Sequence, residues 1–173
     1  MSDRVIALTD VVGYSNPIRT HHHRTHIREQ LNRCLRNRFG SDHDVWYEGR
    51  GDGMLIVFPE GAEFWAVTQA FENSIAHELY RYNAHVANGA KISLRAAVDM
   101  GYVEMDSMGY NGDCMIRAGR MVDSKALKAA MAAGAATVGI IVPSELSIQY
   151  SLNYENFRTQ VKGMSMHVGM SLI

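Results

Sequence analysis

Two aspartates carry the chemistry this chain is best equipped to do. Asp10 closes the apolar run Val5-Ile6-Ala7-Leu8-Thr9 and leads into Val11-Val12-Gly13-Tyr14-Ser15, while Asp52 lies in Gly49-Arg50-Gly51-Asp52-Gly53. Hard divalent cations such as Mg²⁺ take oxygen ligands, commonly one or two carboxylates together with substrate phosphates. Glycines beside each carboxylate let the backbone come close to a phosphate. Gly-Asp-Gly alone is ordinarily a turn. The neighbours of Asp10 add to it: Gly13, Tyr14 and Ser15 run toward Pro17, read as the first position of a helix whose free N–H groups could hold phosphate oxygens. In an antiparallel layout the end of the first strand lies beside the Asp52 hairpin, so both carboxylates could share one ion site.

The elements that must position these residues follow from periodicity. Residues 4–9 read as a buried strand. Ile27, Leu31, Cys34 and Leu35 recur at helical spacing on a helix ending near Gly40. Residues 45–50 and 54–58 read as two strands about Gly51-Asp52-Gly53. Phe64, Val67, Phe71, Ile75, Leu79 and Tyr82 mark a second amphipathic helix. A long strand follows over 92–102. Gly109 and Gly112 then form a loop before a third helix over 113–133. A strand over 138–142 and a final hairpin over 155–172, turning at Lys162-Gly163, complete the chain. The order is an α+β, ferredoxin-like βαββαβ core with an additional helix and strands.

Composition excludes several classes. A length of 173 residues suits one domain spanning 1–173, large enough to bury a core. A net charge of −1 provides no electrostatic basis for binding nucleic acid or a membrane broadly. The two cysteines, Cys34 and Cys114, match neither a metal spacing nor a disulfide framework, as expected of reduced thiols in a cytoplasm. Met1-Ser2-Asp3-Arg4 runs straight into a strand-like segment with no signal-peptide pattern, and no apolar run is long enough for a bilayer. His22 and His26 have the i, i+4 spacing of zinc ligands, but no third ligand accompanies them, so a solvated helix face is expected. The same reading holds for Arg24, Arg28, Arg33, Arg36 and Arg38. Asp99 is expected at a strand end and Asp113 at a helix start, where it suits the helix dipole.

Several segments, taken in order, resemble the class III nucleotidyl cyclases. Thr9-Asp10-Val11-Val12-Gly13-Tyr14-Ser15 is similar to their first metal-binding motif, and Gly51-Asp52-Gly53-Met54-Leu55-Ile56-Val57-Phe58 to their second. Leu94 to Val103 resembles the strand before their catalytic helix. Gly109-Tyr110-Asn111-Gly112-Asp113-Cys114-Met115-Ile116-Arg117-Ala118-Gly119-Arg120-Met121 follows the pattern of that helix, and Val161-Lys162-Gly163 that of a late Lys-Gly turn.

The resemblance implies a reaction. A ribose 3′-oxygen attacks the α-phosphorus of a nucleoside triphosphate, giving a 3′,5′-cyclic nucleotide and pyrophosphate. It implies two divalent cations, Mg²⁺ or Mn²⁺, at Asp10 and Asp52, with Val11 among the metal-binding positions. Arg120 falls at the transition-state arginine, Lys162 at a triphosphate contact, and Gly13, Tyr14 and Ser15 at the phosphate turn. A homodimer with active sites at the subunit interface is implied too. Where the family has an asparagine four residues before the arginine, this chain has Ile116, which leaves room for a degenerate, nucleotide-binding regulatory domain.

Base selection is read at Glu48, four residues before Asp52, where guanylate-specific members carry glutamate and adenylate-specific ones lysine. The second recognition position is Gly109, without a side chain. Arg50 shares a strand face with Glu48. Arginine only donates and ionised glutamate only accepts, which suits uracil or guanine and fits adenine poorly. A guanidinium in the pocket favours the smaller ring, so the expected order is UTP, GTP, CTP; the alternative is that Glu48 and Arg50 simply pair with each other. The chain also resembles the stand-alone pyrimidine cyclases of bacterial antiphage (Pycsar) systems, which implies a cyclic-nucleotide-activated effector encoded nearby.

Overall fold

The computed structural model describes residues 3–41 and 43–173. Strand β1 (Asp3–Val11) is followed by helix α1 (His21–Phe39) and the hairpin β2 (Trp46–Arg50) and β3 (Gly53–Val57). Helices α2 (Phe64–Ala70) and α3 (Ala76–Asn83) are joined by a π-turn over Phe71–Ile75, and β4 (Leu94–Tyr102) completes the split unit. A short ribbon, β5 (Glu104–Asp106) with β6 (Gly109–Asn111), precedes α4 (Asp113–Val122) and α5 (Lys125–Ala133). Strand β7 (Val138–Pro143), helix α6 (Ser144–Gln149) and the hairpin β8 (Glu155–Val161) and β9 (Met164–Leu172) follow. The large sheet runs β2-β3-β1-β4-β7-β9-β8, antiparallel except for β4 with β7. This mixed α+β sheet contains the β2-β3-β1-β4 order of the split unit.

The period-2 alternation of the strands divides two cores. Val5, Ala7, Ile56, Ala96, Val98 and Ile140 pack under α1, α2 and α3. Ile6, Leu55, Val57, Ala97 and Ile141 face α4 and α5. The stripe Ile27, Leu31, Cys34 and Leu35 is buried on α1, which stops at Gly40. No helix among the described residues is long and apolar enough to cross a membrane.

Several elements differ from the sequence reading. Helix α1 starts at His21 rather than Pro17: Thr20 Oγ1 accepts the His23 N–H, and the His23 ring accepts the Thr20 N–H, a reciprocal cap with histidine where glutamate or glutamine is usual. The helix over 113–133 is two helices, parted at Asp123–Ser124, where Ser124 caps α5 by accepting from Leu127 N–H. Gly109, expected in a loop with Gly112, begins β6 of the β5–β6 ribbon, and α6 fills a segment to which the periodicity assigned nothing. The final hairpin turns at Lys162 (φ 48°) and Gly163 (φ 81°), consecutive left-handed residues of the kind that close two-residue hairpin loops.

Candidate functional site

Strand register assembles the site. Asp10 lies opposite Gly53 of β3 on one side and Arg95 of β4 on the other, and Gly53 lies opposite Arg50 of β2. Arg50, Gly53, Asp10 and Arg95 thus form one row across four strands, on the face that carries α4. Residue 53 has no room for a side chain. A Cβ there would stand 1.7 Å from the Thr9 carbonyl oxygen. Glycine therefore permits the close approach of β3 to β1.

Asp52 sits in the tight β2–β3 turn, one residue from Asp10's strand partner Gly53. It lines a cleft of about 250 Å³ together with Arg28, Glu29, Asn32 and Met54. Asp10 is half-buried and ion-paired with Arg95, whose side chain is only 11% exposed. The Arg95 Nε is buried without a partner among the described residues, and burial lowers the pKa of this guanidinium below its ordinary value. Sequence reasoning missed Arg95, because an ion pair 85 residues apart becomes visible only through strand register.

The turn after Asp10 is built without a helix start. Gly13 takes φ 63°, Tyr14 N–H donates to the Val11 carbonyl at 3.4 Å, and Asn16 N–H to the Gly13 carbonyl at 3.0 Å. The Gly13 and Ser15 N–H groups are left without a partner among the described residues. Val11 is buried as a whole residue, and its carbonyl oxygen accepts the Tyr14 N–H. Arg19, also unforeseen, is buried and donates through Nη2 to the carbonyls of Val12 at 3.2 Å and Lys91 at 3.1 Å. It ties the aspartate loop to the segment before β4.

Glu48 and Arg50 do pair: Nε to Oε1 is 2.7 Å. The other glutamate oxygen faces Gly109, where an added Cβ would lie 3.3 Å from it. Arg50 lines a cavity of about 450 Å³ with Leu8, Leu55, Tyr110, Met115 and Ile116. Tyr110 forms one wall, with the Trp46 ring edge-on at 5.8 Å and the Arg4 guanidinium 5.5 Å from its centre.

Helix α4 runs antiparallel to β4 and presents Asp113, Ile116, Arg117 and Arg120 toward a second groove of about 550 Å³, bounded by Met164, Ser165 and His167 of β9. Asp113 and Ile116 border both cavities; Ile116 is 56% exposed. Arg120 donates to the Met164 sulfur at 2.7 Å and does not line the Asp52 cleft. Lys162 is exposed at the hairpin tip, close enough to Asp123 to help depress that carboxyl, whose first cause is its bond with Lys128.

Asp99 requires a correction. It is the sixth residue of a nine-residue strand, completely buried, not a strand end. Both its oxygens accept from Arg117 of α4 at 2.7 Å. Burial pushes the Asp99 carboxyl above the usual range, and the Arg117 bonds offset part of that. Asp113 opens α4 as expected. His21, His22 and His26 of α1 are exposed, as expected of a solvated helix face, while His23 caps the helix and its ring fills the space above Gly89. No group of three or more His, Cys, Asp or Glu side chains arranged for a metal occurs among the described residues.

The candidate donors for a divalent cation at the β1–β3 junction are the Asp10 and Asp52 carboxylates and the Val11 carbonyl, all hard oxygens; Asp52 lines the cleft beside α1, whereas Asp10 lies on the sheet face that carries α4. The Asp10–Arg95 pair would have to be given up or shared.

No protein-family model and no curated protein matches the chain. Solved structures do. An adenylate/guanylate cyclase/hydrolase from Silicibacter pomeroyi superposes with TM-score 0.67 at 16% identity, covering 99% of this chain and 97% of its own. The catalytic core of a rhodopsin-guanylyl cyclase with converted specificity, in complex with ATPαS, gives 0.66 at 17% identity over 97% and 94%. The guanylate cyclase domain of RhGC from Catenaria anguillulae, in complex with GTP, gives 0.61 at 16% over 97% and 94%. The fold is that of class III cyclase catalytic domains.

Proposed function

We propose that this protein is a nucleotidyl cyclase that converts a nucleoside triphosphate, UTP by preference, to its 3′,5′-cyclic monophosphate and pyrophosphate. The observation that carries the reading is the row Arg50-Gly53-Asp10-Arg95 with Asp52 in the adjoining turn. Asp10, Asp52 and the Val11 carbonyl would hold two divalent cations, Mg²⁺ or Mn²⁺. When bound, these supply charge neutralisation for the triphosphate and acidify the attacking hydroxyl. The unpartnered Gly13 and Ser15 N–H groups suit phosphate oxygens, in the manner of a backbone nest. Arg95 keeps a fixed positive charge beside the same phosphates. Arg120 meets the charge that develops on the α-phosphoryl oxygens, and Lys162 contacts the triphosphate from the β8–β9 turn.

The base is read by the Glu48–Arg50 pair. Arg50 uses Nε on Glu48 and keeps its terminal nitrogens for the cavity; Glu48 keeps one oxygen beside Gly109. A donor beside an acceptor matches the carbonyl and neighbouring N–H of uracil, O4 and N3–H. Guanine presents the same order at O6 and N1–H, so guanylate cyclase is the second reading, and CTP ranks third. The homodimer, the cytoplasmic location and a role in antiphage defence through a nearby effector belong to the same proposal. A third reading, a nucleotide-binding regulatory domain, draws on exposed Ile116, which cannot hydrogen-bond a ribose.

The test is direct. Purified protein with Mn²⁺ and each of UTP, GTP, CTP and ATP in turn is expected to yield mainly cyclic UMP. Cyclic GMP alone would replace the uridylate assignment, and product formation that survives Asp10→Ala or Asp52→Ala would overturn the metal-carboxylate mechanism. Nucleotide binding without any product would favour the regulatory domain.

A further inference from the structure

We propose that Asp99 is a positioning residue for this reaction: through Arg117 it sets the rotation of α4, and so the direction in which Ile116 and Arg120 leave that helix. The inference rests on the cyclase reading for its kinetic part. Asp99 is completely buried on the α4 face of β4. Its Oδ1 accepts from Arg117 Nη2 and from the Met100 N–H, each at 2.7 Å, and its Oδ2 accepts from Arg117 Nε at 2.7 Å. Arg117 Nη1 donates in turn to Glu145 Oε1 at 2.9 Å, in the first turn of α6. A two-pronged guanidinium–carboxylate pair fixes a plane as well as a distance, and that plane is tied to a central strand on one side and to α6 on the other.

The remaining contacts of α4 with the sheet lack this directionality. The helix start is pressed against the end of β4, where an added Cβ on Gly112 would stand 2.4 Å from the Tyr102 carbonyl and one on Gly101 would stand 3.2 Å from Cys114 Cβ. Those contacts fix the height of the first turn. Further along, Ala118, Met121 and Val122 are buried against the sheet, and an added Cβ on Gly119 would meet only Leu8, at 3.8 Å. This apolar packing holds the helix on the sheet without a bond of fixed direction. Arg117 stands between Ile116 and Arg120 on the groove-facing side of the helix, so a turn of α4 about its axis moves both. Stability alone does not account for the pair, because well-packed apolar residues commonly hold two elements at least as firmly as a buried ion pair.

Two variants separate the roles. Asp99→Asn leaves Arg117 with only the exposed Glu145 as counter-charge; it is expected to lower Tm by roughly 10 °C and kcat by roughly 10- to 100-fold, with KM for the nucleotide within about twofold of wild type. Asp99→Val combined with Arg117→Met removes both charges and is expected to recover Tm to within a few degrees while kcat stays at least about tenfold down. The double variant regaining both Tm and kcat would overturn the proposal, as would Asp99→Asn with unchanged kcat below its Tm. A third readout does not need turnover. In methyl-labelled protein the Ile116 δ1 resonance is expected to be single in wild type and shifted or split in the double variant, and an unchanged signal counts against the proposal. A wild type that makes no cyclic nucleotide from any of the four triphosphates would defeat the cyclase reading, while the Ile116 signal still decides whether Asp99 orients α4.

Discussion

Asp10 has two suitors, Arg95 at its side and a cation from solvent, and its chemistry depends on which holds it. The carboxylate is half-buried against a guanidinium that burial already destabilises. A divalent ion brings twice the charge to the same oxygens. Asp10→Asn and Asp52→Asn each keep the shape of the side chain and remove its charge. Both are expected to cut kcat by at least about 100-fold with the circular dichroism spectrum unchanged, and full activity in either variant would remove that aspartate from the mechanism. At the base cavity, Arg50→Ala removes the donor and frees Glu48. The ratio of kcat/KM for UTP over CTP is expected to fall by roughly 10-fold or more, the worth of one directed base contact. An unchanged ratio would mean that the 2.7 Å Glu48–Arg50 bond serves the strand surface alone.

At the scale of elements, Gly53 is the residue on which the site's assembly turns. Gly53→Ala pushes a methyl into the Thr9 carbonyl, 1.7 Å away on the present backbone, so β3 has to move from β1 and take the Asp52 turn with it. Loss of activity together with several kcal/mol of stability, about 2 or more, is expected in urea titrations; a fully active and stable variant would contradict the register. Lys162 offers the converse case. It is exposed at φ 48°, a conformation asparagine accepts readily, so Lys162→Asn should keep Tm while weakening triphosphate binding. The helices also carry the pH dependence. Burial, with the Glu78 carboxylate adding, raises Cys34 of α1 to about 12, and burial first and Asp99 second raise Cys114 of α4 to about 11. Raised thiol pKa values favour the neutral form in the fold. Their contribution is complete below the unfolded value near 8.5 and is lost as pH rises through the folded values. Stability should therefore fall above about pH 8.5 by roughly 1.4 kcal/mol per unit for each thiol. Replacing either cysteine by alanine should flatten that slope in denaturant titrations at pH 8 to 10.

Periodicity exposed these elements to different degrees. The stripe from Ile27 to Leu35 and the alternation of Val5 to Leu8 are short-range patterns, and they identified α1 and β1 because burial of one face dictates them. The antiparallel neighbourhood of Asp10 and the Asp52 hairpin followed from the same patterns. The break at Ser124 did not, because apolar residues continue at helical spacing on both sides and only a local cap ends α4. Thr20 hid the start of α1 in the same way, since histidine is an uncommon partner in a reciprocal cap. Asp99 and Arg117 were unreadable for another reason: their pairing depends on how a helix lies across a strand, and no spacing along the chain encodes it.

The whole molecule poses the question of where a complete active site resides. Within one chain Asp52 opens on a cleft beside α1, whereas Arg120 opens on a groove between α4 and β9, and the residues lining the two differ throughout. In the proposed homodimer, two-fold symmetry would let the aspartates of one copy meet the arginine of the other, twice. Each site then draws on both subunits, which gives a sharp expectation for mixtures. Asp10→Ala and Arg120→Ala homodimers should each be inactive, every site lacking one essential group. Mixed in equal amounts and allowed to exchange, half the dimers become hybrids, and each hybrid has one site with both lesions and one with neither. Activity should return to about one quarter of wild type, in proportion to the intact sites. The measurement is cyclic nucleotide formation before and after exchange. Recovery near that level requires Arg120 to act across the interface; no recovery, with hybrids verified by mass spectrometry, would put the aspartates and the arginine to work within the same chain.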